Sequence, residues 1–122
     1  MTVRYAFFEG NIHPGREAEF RSIVHERLIP LWTKFPGCQN VTVSFEVEHD
    51  EGVPSCPLVL SFHYPDLATL RMSLQSEVRT VSRGVTAELL KLFDGRVRHH
   101  ICEPAQGAGA QHAFEGVAKL AV

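Results

Sequence analysis

The chain has 122 residues, 44% of them hydrophobic and 21% charged, with a formal net charge of −2. That length suits one domain with a real core rather than two, and the near-balanced charge gives no basic surface for a phosphate backbone, so nucleic acid is not an expected partner. No apolar run approaches the ~20 residues that span a bilayer, and the first residues lack a signal-peptide pattern, so no membrane partner is expected and the chain reads as cytoplasmic.

Residues 3 to 9, V-R-Y-A-F-F-E, are aromatic and β-branched with apolar side chains on both parities, the pattern of a strand in the middle of a sheet. After the turn residues Pro14 and Gly15, the positions Ala18, Phe20, Ile23, Val24, Leu28, Leu31, Trp32 and Phe35 recur at helical spacing. Pro30 interrupts that stripe and predicts a kink or break near Leu28. From Val41 to Glu48 the alternation of Val41, Val43, Phe45 and Val47 against Thr42, Ser44, Glu46 and Glu48 predicts a strand with one wet face.

The acidic stretch His49–Ser55 is a loop, and Pro57–Tyr64, P-L-V-L-S-F-H-Y, is a third strand. Asp66 caps a helix whose apolar positions run from Leu67 to Leu92 in steps of three and four, with a second helical piece able to start at Ser76-Glu77 and with Asp94-Gly95 as its end. Arg96–Glu103, R-V-R-H-H-I-C-E, alternates again as a fourth strand. This defines a domain over residues 1–104. Residues 105–122 form a C-terminal tail, a Gly/Ala linker followed by Phe114, Val117 and Leu120 at one-turn spacing, which suits either a short docking helix or disorder.

The order strand, helix, strand, strand, helix, strand is the α+β ferredoxin-like βαββαβ arrangement. Right-handed crossovers place both helices on one face of a four-stranded antiparallel sheet. The strands apolar on both sides belong in the centre, giving the order 4-1-3-2. The second sheet face then needs a cover, and a second copy stacked about a two-fold axis supplies one, so a homodimer is expected.

If the helices take the apolar parity of each strand, the other face collects Arg4, Ala6 and Phe8 with Ser44, Glu46, Ser61, His63, Arg98 and His100. For the first strand the opposite parity, with Tyr5 and Phe7 in the wall, fits as well. In that wall His63 is the candidate catalytic acid or base, Glu46 its orienting partner, and Arg98 or Arg4 the holder of an anionic oxygen. Arg4, Phe8, Ser44, Glu46, Ser61, Arg98 and His100 are the candidate ligand-binding residues. The competing reading has these polar groups satisfying one another in a wet dimer interface.

His99 and His100 are adjacent on a strand and point to opposite faces, so no metal site is expected, and no motif calls for a cofactor. Cys38, Cys56 and Cys102 are odd in number and far apart, and are read as reduced structural thiols.

The stretch H-P-G-R-E-A-E-F behind the first strand, the junction P-L-V-L-S-F-H-Y-P-D-L and the closing V-R-H-H-I-C-E resemble the dimeric α/β-barrel superfamily, near its EthD-like and antibiotic-biosynthesis-monooxygenase-like small proteins. The resemblance covers residues 2 to 104 and implies a homodimer whose facing sheets enclose a cavity. It also implies a small, largely apolar ligand in a cleft between sheet and helices, with cofactor-independent monooxygenase or isomerase chemistry as one outcome and a non-catalytic structural or stress-related binding protein as the other. No position matches a family catalytic motif, so no residue role is carried over.

Overall fold

A computed structural model of the protein describes residues 1–105. The expected tail, from residue 106 on, lies outside the described residues. Four antiparallel strands form one sheet in the order β2-β3-β1-β4: β1 Thr2–Ile12, β2 Asn40–Phe45, β3 Leu58–Tyr64 and β4 Phe93–Cys102. Read from the other edge, this is the order expected from hydrophobicity. Helices α1 Glu17–Ile23, α2 Ile29–Trp32, α3 Leu67–Leu74 and α4 Glu77–Leu89 carry the crossovers.

Between α1 and α2 the chain makes one turn of π-helix, Val24–Leu28, immediately before Pro30. Proline has no N–H to donate and its ring crowds the carbonyl four residues back, so a wider turn before it lets the apolar stripe continue without a clash. Phe20, Val24, Leu28 and Trp32 accordingly stay buried on one side. Asp66 caps α3 by accepting from the Thr69 N–H at 2.7 Å, and Ser76 caps α4 by accepting from the Arg79 N–H at 3.3 Å. The long apolar series is therefore two helices broken at Gln75-Ser76, while Gly84 is accommodated inside α4.

Two boundaries correct the sequence expectation. β2 stops at Phe45 rather than Glu48, and Val47 is almost fully exposed, so alternation ran past the pairing partner that makes a strand. β4 begins at Phe93, so Asp94-Gly95 lies inside a strand and does not end a helix. Gly95 pairs with Gly10 of β1, where a β-carbon on either would collide with the facing backbone; Gly10 also has φ +149°. Gly95 is needed there for close approach.

The core lies between sheet and helices. Ala6, Phe8, Leu58, Leu60, Phe62 and Tyr64 of the sheet pack on Phe20, Val24, Leu28, Trp32, Leu70 and Leu89 of the helices. Phe62 is the hub: its ring stacks on Phe35 at 5.3 Å between centroids and meets Trp32 edge-on at 6.2 Å. Such pairs add to the area that they bury. On the outside, Arg27 of the π turn donates to Glu88 of α4 at 2.7 Å and ties the two crossover units together.

The register fixes which way each side chain points. Arg4 pairs with Phe62 and Ile101, Ala6 with Leu60 and His99, and Phe8 with Leu58 and Val97. All of these face the helices. Val3, Tyr5, Phe7 and Glu9 share the opposite, open face with Ser61, His63, Arg98 and His100. Arg4, Ala6 and Phe8 therefore do not belong to the wall that holds His63. A strand apolar on both parities carries no sequence signal for which side meets the helices, and here the smaller Ala6 and the Phe8 ring take the core.

Candidate functional site

A cavity of about 370 Å³ opens between the sheet and helix α4. Its apolar walls are built from Phe8, Trp32, Phe35, Leu60 and Phe62, all buried. Its polar end is built from Arg4 of β1, His99 of β4, and Arg79 and Arg83 of α4. Ser82 and Thr86, one helical turn apart on α4, add hydroxyls, but both donate to α4 carbonyls, of Arg79 at 2.8 Å and of Ser82 at 2.9 Å.

Charge is one-sided at that end. Among the described residues no Asp or Glu lines the cavity. Among the described residues, Arg16, Arg27, Arg96 and Arg98 each pair with a glutamate, whereas Arg4, Arg79 and Arg83 have no carboxylate partner. Arg79 is steadied by donating to the Leu74 carbonyl at 3.1 Å, the end of α3. Burial and then the charge of Arg79 depress the Arg4 pKa, partly offset by Tyr64. Tyr64 is fully buried beneath, with its hydroxyl 2.8 Å from Ser73 Oγ and its pKa raised by burial.

His99 feels the same field. Burial, then the charges of Arg4, Arg79 and His100, lower its pKa to about 4. Its ring stands at the mouth and stays exposed, and solvent there tempers the shift. His99 is thus neutral at pH 7 and able to accept a proton. Followed by ring-proton NMR, and assigned with His99→Gln, His99 is expected to titrate clearly below its ordinary 6.5. A midpoint at 6.5 would show that neither burial nor the arginines act on it.

The remaining sequence candidates lie elsewhere. His63 is on the open face, with Nε2 3.1 Å from Ser61 Oγ, which in turn bonds Thr42. Arg98 donates to Glu9 at 3.1 Å and to His100 Nε2 at 2.9 Å, beside a shallow hollow lined by Tyr5, Phe7 and Cys102. Ser44 pairs with Val59 on the same face. Glu46 does not reach His63. It follows the last residue of β2, and its carboxylate accepts from Ser55 Oγ at 2.8 Å and the Cys56 N–H at 2.9 Å, with the His49 ring 2.9 Å away. Burial opposes its ionisation, but these bonds outweigh it and leave the pKa lowered, as expected for a loop clamp.

Of the sequence candidates, then, Arg4 and Phe8 reach the cavity. Trp32, Arg79 and His99 were missed. Trp32 carried only the signal of a buried helical stripe, and for His99 the one signal is parity, since it shares a strand face with Val97 and Ile101.

Solved structures of similar shape are known. An EthD-family protein from Bacillus halodurans superposes with a TM-score of 0.65 at 18% identity, covering 85% of this chain and 99% of that one. SnoaB, a cofactor-independent oxygenase from Streptomyces nogalater, gives 0.61 at 19% identity, covering 88% of this chain and 95% of that one. This chain shares their ferredoxin-like fold. Rv0793 from Mycobacterium tuberculosis is similar too, with a TM-score of 0.60 at 18% identity, covering 88% of this chain and 97% of that one. No protein-family model matches the sequence, and no curated protein does. Among the described residues no helix is long and apolar enough to cross a membrane, and no three His, Cys, Asp or Glu side chains group as metal ligands.

Proposed function

We propose that the protein is a homodimer in which each subunit binds a small, largely apolar molecule between sheet and helices and oxygenates it without a cofactor. The observation that carries this reading is the cavity itself: largely aromatic walls, with a histidine and arginines that have no carboxylate partner among the described residues at one end. Such walls suit an aromatic ring system. SnoaB, whose fold is shared, is an oxygenase of this kind, which makes the chemistry reasonable here.

The chemistry needs little from the protein. His99 accepts a proton from a carbon acid of the substrate, and Arg4 and Arg79 hold the negative oxygen of the resulting enolate. The anion offsets the arginine repulsion that keeps His99 weakly basic, so proton transfer becomes easier with substrate in place. The electron-rich anion passes electrons to O2, a C–O bond forms, and the peroxide loses water. A CH2 group and O2 thus become a carbonyl and H2O, with the substrate supplying all the electrons.

The open sheet face supports the dimer. Val3 and Ser61 are already buried in one subunit, and Tyr5, Phe7 and Val59 present apolar surface around them. A second copy on this face would place the Thr42–Ser61–His63 chain and the Glu9–Arg98–His100 cluster in the interface, where they satisfy one another.

Dithranol, a tricyclic carbon acid, tests the activity in an oxygen electrode with EDTA present and no flavin. The protein is expected to consume one O2 per dithranol, and His99→Gln to lower kcat by about a hundredfold. Uptake no faster than without protein, together with quenching of Trp32 fluorescence by dithranol, would make this a non-catalytic binding protein.

A further inference from the structure

The polar end of the cavity is built from opposed elements. Arg4 comes from the central strand β1 and Arg79 from the first turn of α4, on opposite sides of the space, and Arg83 stands one turn further along α4 at the mouth. Both Arg4 and Arg79 are half-buried, and burial is the leading cause of the lowered pKa of each. Two guanidinium groups held near one another away from bulk water repel, and a buried charge without a partner is costly. On the surface Arg27 has Glu88 as its partner, and Arg96 and Arg98 share Glu9. Among the described residues no carboxylate lines the cavity. An occupant with its own negative charge would supply one.

From this juxtaposition we propose that the cavity selects planar aromatic anions, with the ring system among Trp32, Phe35 and Phe62 and a carboxylate- or sulfonate-like group docked on Arg4 and Arg79. This rests on the cavity being the ligand site and adds the class of ligand that it takes. The guanidinium fork donates two parallel bonds to a pair of anionic oxygens, a geometry that a neutral amide of the same shape accepts only in part. A ligand with several such groups is disfavoured, because away from the arginines and His99 the walls are apolar except for Ser82 and Thr86, whose hydroxyls are committed to α4 carbonyls. Arg83, exposed at the mouth, adds long-range attraction for an anion approaching from solvent.

Calorimetric titration of the full-length protein at pH 7 with naphthalene-2-sulfonate and with the neutral naphthalene-2-sulfonamide tests this. The two probes share a ring and differ in charge. The sulfonate is expected to bind at least about tenfold more tightly. Arg4→Gln and Arg79→Gln are each expected to remove most of that advantage while leaving the sulfonamide affinity within about twofold, as loss of a charge-assisted bond alone would do. The comparison of the two probes on the unaltered protein needs no variant to fold. Equal binding of both probes would overturn charge selection while leaving the cavity as the ligand site. Failure of both to bind at millimolar concentration would overturn the cavity reading with it.

Discussion

Replacing Phe62 with alanine is expected to lower the unfolding free energy by about 3–5 kcal/mol, the usual cost of deleting a fully buried phenylalanine. The ring is 3% exposed, stacks on Phe35 and meets Trp32 edge-on, so its loss removes two aromatic pairs as well as the buried area. On one side the ring borders the cavity, where no side chain stands ready to fill the gap. The void should therefore persist and join the cavity, and the Trp32 emission should shift to the red as water enters. Urea denaturation measures the loss. A change below about 1 kcal/mol, the size of an exposed substitution, would mean that Phe62 does not join sheet to helices.

A second large effect is expected on the open face. Phe7 stands in register with Arg98, whose guanidinium carbon lies 5.4 Å from the ring centre, and its ring meets His100 edge-on at 5.6 Å. Phe7→Lys would place a cation against Arg98 and, in a two-fold dimer, leave a charge without a partner in an apolar contact. The dissociation constant is expected to rise by at least about a hundredfold, giving a monomer by light scattering at micromolar concentration with an unchanged circular dichroism spectrum. The unaltered protein should be a dimer under the same conditions. If it too is a monomer, the open face is not the dimer surface.

The fold was largely legible because periodicity carries it. Strand-like alternation at Val41–Phe45, the helical stripe through Phe20, Val24 and Leu28, and the capping residues Asp66 and Ser76 each state a local rule that the tertiary structure obeys. Pro30 predicts the interruption before it but not its form, a π turn. What misled was context. Gly95 looks like a helix stop until its cross-strand partner Gly10 is known, and Glu46 looks like a strand residue until β2 is seen to end at Phe45.

The candidate site was legible only in part, for one physical reason. Strand β1 is apolar on both faces, so the sequence does not say whether Arg4 or Tyr5 meets the helices, and a slip of one residue moves every side chain to the other side. With Arg4 assigned to the same face as His63, the eye goes to the Ser61–His63 pair. With Arg4 on the helix side, His99 lies on the same face one pair along the register, opposite Ala6, and Arg79 joins them from α4, far along the chain, a meeting that no local pattern encodes.

The most direct test of the cavity as ligand site is a crystal structure of the protein with naphthalene-2-sulfonate. The predicted result is ring density among Trp32, Phe35 and Phe62 with the sulfonate oxygens within hydrogen-bond distance of Arg4 and Arg79. Density confined to the hollow beside Phe7, Arg98 and His100 on the open face, with the cavity between sheet and helices empty, would contradict it.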